Sequence, residues 1–469
     1  MNRVLAMSGL AGLGALTILV GIYAEHFQPG AILAVPLLFG AGSVIVAACM
    51  GKPLALKVCL FALIVFGFTS LRHRDAMDVS IDTSIVYRLA VWSAVLVIGV
   101  ANLPASIRYF QNASYLGLAA YILFAAASAT YSLTPTYTLG CAYGYLCMLL
   151  FMAAVIARLD LREVLSVAML AVGTHVLVAV ILWFVAPDIV IWKNWSESEE
   201  RLAGLLGHPF IMADVTSLFL LSGLVMWRQR WLTTHVFAIV GLLGGFALLL
   251  TQTRSAIVAV AVALFSTGKF RPASIVALTF AFLSGLIAIY AVPGALDAIA
   301  LQASRSGNVE GTLTLTGRIH IWQESLRMFA ERPLFGYGYA TTRTLFPSEF
   351  VTSSAKGEVP PHAHNIIVQS LVTTGIIGTL LLLIPLVVPL IHSLRHRDGL
   401  ANPLIWCVVL TGFTGIGPIG GAPQVMTLFW MLSLLMLQVS SPSTVTRMED
   451  EFSAQFERRQ VKVRPLASP

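Results

Sequence analysis

Runs of about 20 predominantly apolar residues recur along the whole chain, each long enough to cross a ~30 Å hydrocarbon layer as a helix. They fall near 4–24, 31–50, 54–71, 87–103, 115–131, 137–157 and 164–186. Seven more fall near 209–226, 232–250, 254–267, 273–292, 365–392, 402–418 and 423–439, with the second member of 232–267 short for a span. Lipid offers no partner to a bare amide or carbonyl, so such segments must satisfy their own backbone, which a helix does. The pattern predicts an all-α membrane protein: a polytopic helical bundle of about 12–14 transmembrane helices with one large structured periplasmic loop.

Composition agrees. Hydrophobic residues make up 57% of the chain and charged residues 11%, against about 25% charged in a soluble domain. The net charge of +7 is spread between apolar stretches. No basic run lies on a soluble face, which excludes nucleic acid as a partner and leaves the lipid bilayer. The five cysteines all fall inside apolar segments without metal-ligand spacing and are expected as small core residues.

Lysine and arginine in short loops set the orientation. With the N-terminus inside and 14 spans, the inner loops carry Lys52, Lys57, Arg108, Arg158, Arg162, Arg228, Arg230, Lys269, Arg271, Arg395 and Arg397. The outer ones carry fewer: Arg72, Arg74, Arg88, Lys193, Arg201 and Arg254. Both termini are therefore expected inside. The first apolar run lacks a small-residue cleavage site and reads as an uncleaved helix rather than a signal peptide. The chain divides into an N-terminal transmembrane bundle (1–200), helices carrying two arginine elements (201–292), a periplasmic lid loop (293–364), C-terminal helices (365–439) and a disordered cytoplasmic tail (440–469).

The lid contains one clear helical pattern, from about Arg318 to Glu331. Ile319, Trp322, Leu326 and Phe329 recur at helical spacing, with His320, Glu324, Arg327 and Glu331 opposite. Thr316 is the expected N-cap and Pro333 ends the helix. The helix is expected to lie on the membrane-facing part of the protein.

Three positions could carry chemistry. Arg201 sits at the outer mouth of the helix that begins near Pro209. It reads either as an anion clamp or as a solvated loop arginine paired with Glu199 or Glu200. Arg254 lies between two apolar segments on the side where positive charge is disfavoured. It is either a functional cation or one whose stem snorkels to the interface. His364, in Pro360-Pro361-His362-Ala363-His364-Asn365, is expected in the first turn of the next helix. A helix N-terminus disfavours imidazolium, which suits a neutral general base; the bland reading is an interfacial histidine that only caps or hydrogen-bonds. His362 with His364 could also bind a metal, but no outside carboxylates stand at useful spacing. Two arginines can neutralise a diphosphate through bidentate hydrogen bonds while a neutral histidine takes a proton from a hydroxyl. Together they suit attack of a sugar hydroxyl on a sugar carbon that leaves a lipid diphosphate.

These segments resemble the O-antigen ligase and polysaccharide polymerase superfamily of bacterial membrane glycosyltransferases. Arg201 with Leu205 is similar to its Arg-x-x-x-Leu element, and Thr253-Arg254-Ser255 to its second arginine element, where Ser more often precedes the arginine. His364-Asn365, nine residues, then Gly375-Ile-Ile-Gly378 matches its His-Asn-x9-Gly-x-x-Gly pattern. Leu315-Thr-Gly-Arg-Ile-His-Ile-Trp322 and Arg332-Pro-Leu-Phe-Gly-Tyr-Gly338 resemble its lid motifs. The resemblance spans about Arg201 to Gly378. It implies metal-independent, inverting transfer, without a cofactor, from an undecaprenyl diphosphate-linked glycan donor to a sugar acceptor. The enzyme would sit in the bacterial inner membrane with its site facing the periplasm. Arg201 and Arg254 would hold the diphosphate, His364 would be the base, and Arg318 and His362 are further candidates for substrate contact.

The lid motifs look more like those of exopolysaccharide polymerases, which move a chain onto the next lipid-linked repeat, than those of ligases acting on lipid A-core. Transfer to protein Ser or Thr would use the same mechanism. A transporter or flippase usually carries ionisable groups near the bilayer midplane, whereas here they cluster at the outer boundary.

Overall fold

The computed structural model describes residues 31–69, 83–192, 200–265, 318–350, 361–396, 399–415 and 417–439. Within them the chain is an all-α bundle of fourteen helices longer than one turn or two. These are α1 (Ala31–Cys49), α2 (Pro53–Phe66), α3 (Thr83–Ala101), α4 (Ala113–Ala127), α5 (Pro135–Arg158), α6 (Leu161–Val185) and α7 (Pro209–Arg228). There follow α8 (Thr234–Thr251), α9 (Arg254–Phe265), α10 (Arg318–Glu331), α11 (Thr342–Phe350), α12 (Ile366–Arg395), α13 (Asn402–Thr414) and α14 (Val425–Val439). Every apolar run expected within these residues is a helix. The runs near 4–24 and 273–292, Thr316 and the tail from Ser440 lie outside the described residues.

Among the described residues six helices are long and apolar enough to cross a membrane, or eight if each of two bent pairs forms one span. The chain is a multi-pass membrane protein. Helices α5 and α7 are the most enclosed of the six. Lipid is as apolar as leucine, so close backbone approach at small residues holds such helices together. A methyl group added at Gly144 would come within 2.6 Å of the Trp92 ring, and one at Gly99 within 2.8 Å of Leu150.

The helix directions bring the loops into two groups. At one end lie the N-termini of α7, α9 and α12 and the C-termini of α8 and α13: Arg201 bonds to Thr251 and Thr253, and Asn365 Nδ2 donates to the Phe413 carbonyl at 3.3 Å. A two-stranded antiparallel ribbon, β1 (Ile191–Trp192) with β2 (Arg201–Leu202), closes this end, Trp192 facing Arg201. At the other end lie Arg158, Arg162, Arg228 and Arg395, at the ends of α5, α6, α7 and α12.

Helix α12 is not continuous. Gly375 has φ 64° and ψ −166°, which breaks the run expected as one helix over 365–392. The backbone groups freed there are taken up by the segment 333–338. Tyr337 N donates to Val372 O at 3.0 Å and Gly338 N to Thr373 O at 2.8 Å. In return Ile376 N donates to Pro333 O at 2.8 Å and Ile377 N to Leu334 O at 3.3 Å. Two stretches separated in sequence thus complete one another, which is what a helix break in a bundle requires.

The lid has its own small core: Met328, Tyr337, Leu345, Phe346, Ala363 and Val372, with Ile321, Phe329 and Val368 against it. Fully burying one such large side chain contributes about 1.5–3 kcal/mol. Helix α10 runs where it was expected. Ser325 and Met328 point inward, while Ile319 and Leu326 are 38% and 46% exposed. Helix α10 packs against α12 and the 337–346 turn, and their shape selects its inner face, with Trp322 and Phe329 half-buried beside it.

Candidate active site

The site is built at the ribbon end. Arg201 is only 6% exposed. Its Nε donates to the Thr251 carbonyl at 3.1 Å and its Nη2 to Thr253 Oγ1 at 3.2 Å. Of the two readings open for Arg201, the solvated loop arginine is therefore set aside. The guanidinium carbon also lies 5.5 Å from the centre of the Phe210 ring, within reach of a cation–π attraction. Helix α8 ends in left-handed Gln252 (φ 50°), whose side chain donates to the Glu200 carbonyl at 3.3 Å. Thr253 follows, and Arg254, exposed, is the first residue of α9.

Phe210 links this arginine to the histidines. Its ring centre lies 6.3 Å from that of His364, and His364 lies 4.1 Å from His362. Phe210 also stacks on His208 at 5.3 Å, which meets Trp192 at 5.0 Å. His208 caps α7, its Nδ1 accepting from Phe210 N at 3.2 Å.

The histidine loop is braced from three directions. Trp322 Nε1 of α10 donates to the Ala363 carbonyl at 2.9 Å. Gln369 Oε1 accepts from Ala363 N at 2.9 Å, while its Nε2 donates to Thr342 Oγ1 and the Gly420 carbonyl. Thr342 in turn donates to the Pro361 carbonyl at 3.0 Å. His364 N donates to His362 Nδ1 at 3.3 Å, which places the proton of a neutral His362 on Nε2.

His364 lies just outside α12, not in its first turn. Its φ of 52° is left-handed, and the N-cap is Asn365, which accepts from Ile367 N and Val368 N. Burial and the charge of Arg318, with a contribution from His208, hold His364 at about 3. Burial lowers His362 well below the ordinary range, helped by His364, His208, Arg343 and Arg318. Arg318, first residue of α10, is itself pushed down by burial, and Arg343 lies over the Tyr137 ring at 5.6 Å. Among the described residues no three His, Cys, Asp or Glu side chains are grouped to hold a metal ion.

Comparison with known proteins bears on this constellation. Residues 239–383 match the family model described as O-antigen ligase, a stretch that contains Arg254, Arg318, Arg343, His362 and His364. This region is similar to the O-antigen ligase and polymerase superfamily. Over 310 residues the chain is 26% identical to the "Exopolysaccharide production protein ExoQ" of Rhizobium meliloti, covering 61% of this chain and 66% of that protein. Over 221 residues it is 27% identical to the "ComP-specific O-oligosaccharyltransferase" of Acinetobacter baylyi, covering 46% of this chain and 40% of that protein. The chain thus spans less than two thirds of the length of either relative.

Within the O-antigen ligase match, the structure brings His364, His362 and Arg318 together, and Phe210 brings Arg201 to the same place. Arg254 is adjacent in sequence to Thr253, the residue that Arg201 holds. Sequence reasoning missed His208 and Arg343. His208 directly precedes Pro209 at the start of α7, where an N-cap position was its only signal. Arg343 carries no local signal, since it is one more lid arginine until the fold sets it beside His362.

Proposed function

We propose that this chain is an inner-membrane glycosyltransferase that moves an undecaprenyl diphosphate-linked glycan onto an acceptor hydroxyl at the periplasmic face. The observation that carries the reading is the placement of Arg201 and His364 on one aromatic ring, beside the turn where Arg254 begins α9, inside a chain that matches the O-antigen ligase family. Arg201 and Arg254 balance the charge of the donor diphosphate, and Arg318 and Arg343 add to the positive field. The acceptor oxygen attacks the anomeric carbon of the donor sugar, whose bond to the diphosphate oxygen breaks. The electron pair leaves with the diphosphate and the acceptor proton passes to His364. A single displacement of this kind inverts the anomeric configuration.

A base held near 3 is weak when alone. The bound diphosphate brings negative charge among the cations that depress His364, which raises its affinity for a proton when the donor is in place. Base strength then follows substrate binding. An apolar cleft of about 430 Å³ continues below the Thr251–Arg254 turn, lined by Leu220, Phe237, Gly241, Gly245, Leu248 and Ile257 among others. It suits the isoprenoid tail of the donor. The arginines at the opposite end favour that end as cytoplasmic, which supports an outward-facing site.

Similarity to an exopolysaccharide production protein supports a polymerase, with a lipid-linked repeat as acceptor. Similarity to an O-oligosaccharyltransferase favours a second reading in which a protein Ser or Thr receives the glycan. Purified full-length protein given a lipid diphosphate glycan should release lipid diphosphate and lengthen the glycan with inverted linkage, in EDTA as well as without it. No turnover on any lipid diphosphate donor would end the proposal. In cells, loss of exopolysaccharide with lipopolysaccharide unchanged would select the polymerase, and the converse a ligase onto lipid A-core.

A further inference from the structure

A second cleft lies at the far end of α7 from the candidate site. Helix α7 has 20 residues from Pro209 to Arg228, a length of about 30 Å, which is the thickness of a bilayer core. The cleft is therefore at headgroup depth on the other membrane face. It measures about 890 Å³ and is lined by Arg162 from α6, Trp227 and Arg228 from the end of α7, then Arg230, Trp231, Leu232, Thr233 and Thr234.

Its construction is specific. Trp227 stacks on Phe237 at 4.8 Å and its Nε1 donates to Thr234 Oγ1 at 3.3 Å, which fixes one wall. The turn is tied by Arg230 N to Trp227 O at 2.9 Å and Trp231 N to Met226 O at 2.8 Å. Those bonds put Arg230 in the left-handed region at φ 59°, a position normally given to glycine after a helix. A side chain there is disfavoured relative to glycine, so the turn alone does not account for an arginine at this point. The carboxylate nearest in sequence to Arg162, Glu163, is bonded to Lys57.

We propose that this cleft binds the phosphodiester headgroup of an anionic membrane lipid on the face opposite the candidate glycan site. Guanidinium groups from two separate elements match a phosphate's oxygens, while tryptophan and leucine accommodate the glycerol and the upper acyl chain. A basic pocket between membrane helices at this depth is the setting in which such headgroups are held. The inference is independent of the reaction at the other end.

The test is native mass spectrometry of the full-length protein titrated with phosphatidylglycerol, phosphatidylcholine or inorganic phosphate. Phosphatidylglycerol should be retained at least tenfold more tightly than phosphatidylcholine. Arg162→Gln, Arg228→Gln and Arg230→Gln should each weaken it roughly fivefold, and lysine at the same positions should restore most of it. Arg230→Gly is the decisive variant, because glycine relieves the backbone and keeps the protein folded while removing the charge. It should be at least as thermostable as the parent and bind the lipid roughly fivefold less tightly. Equal retention of both lipids, or full retention by Arg230→Gly, would overturn the proposal. So would displacement of phosphatidylglycerol by millimolar inorganic phosphate, which would make the ligand a soluble phosphate compound.

Discussion

Arg201 donates to Thr253 Oγ1 at 3.2 Å, and Thr253 passes the bond on, its hydroxyl donating to the Thr251 carbonyl at 3.2 Å. One hydroxyl thus joins the ribbon to the turn that presents Arg254. The superfamily's usual serine and this chain's threonine are equivalent here, because the bond needs only the oxygen. Thr253→Ser should keep full transfer. Thr253→Val, similar in shape, removes the acceptor for a buried guanidinium and should cost about 1–3 kcal/mol of stability and roughly tenfold in transfer. Melting in detergent and donor turnover measure the two effects. Unchanged turnover in Thr253→Val would separate Arg201 from the placement of Arg254.

Arg254 is exposed and starts a helix, so its removal should leave the fold intact. Arg254→Ala should insert normally and lose transfer by 100-fold or more, and Arg254→Lys should recover part of it, since an ammonium lacks the bidentate fork. Full activity in Arg254→Ala would remove the diphosphate clamp.

The histidine pair gives a pH signature. His364 acts neutral, and its proton affinity is held at about 3, below the ordinary 6.5. With free enzyme, kcat/KM should therefore show no acid limb from this group between pH 7 and about 4. In the donor complex the diphosphate raises the group, so kcat should fall with acid at a higher pH than kcat/KM does. Stability follows the same shift. The unfolded histidine takes up a proton as pH falls through about 6.5 and the folded one does not until about 3, so stability is lost between those values and is complete above them. His364→Ala should abolish transfer and His362→Ala should lower it less. The reverse order would move the base to His362.

Gly375 predicts a structural failure rather than a chemical one. A methyl group there would sit 2.3 Å from the Leu334 carbonyl oxygen, at a φ of +64° that side chains rarely adopt. Gly375→Ala should break the stitch between 333–338 and α12, lowering the yield of monodisperse protein and its melting temperature. The His loop would loosen with it, because Gln369 and Val372 stand on the same half of α12. A variant that melts like the parent would show that the helix break is dispensable.

The sequence made the bundle legible and left the site partly hidden, for physical reasons. A run of twenty apolar residues is a strong local signal, so α3 to α9 and α12 to α14 fall where hydropathy places them. The break at Gly375 leaves no such trace, since glycine is tolerated in an apolar run and the groups that satisfy the break come from Pro333–Gly338. The inner face of α10 is likewise not a local property: Ile319 and Leu326 stay exposed, and only the surface of α12 decides that Ser325 and Met328 go in. His364 and Arg254 were readable through local motifs. Their lowered or exposed states, and the arrival of Arg343 and His208, are properties of the folded loops.

The apolar cleft beneath the Thr251–Arg254 turn offers a test that leaves every polar group in place. At Gly241 and Gly245 of α8 an added methyl would meet nothing within 4 Å, and neither glycine has a positive φ. Larger residues there fit the backbone and project into the cleft that Leu248 and Ile257 line. Gly245→Phe should therefore fold as the parent does, since glycine within a helix is the less favoured residue. If the cleft takes the isoprenoid tail, this variant should raise the KM for a full-length lipid diphosphate glycan roughly tenfold. It should leave a donor with a short lipid chain nearly unaffected, because that tail ends before reaching Gly245. Equal loss on both donors would point to a shift of the arginine turn, and no loss on either would place the tail elsewhere.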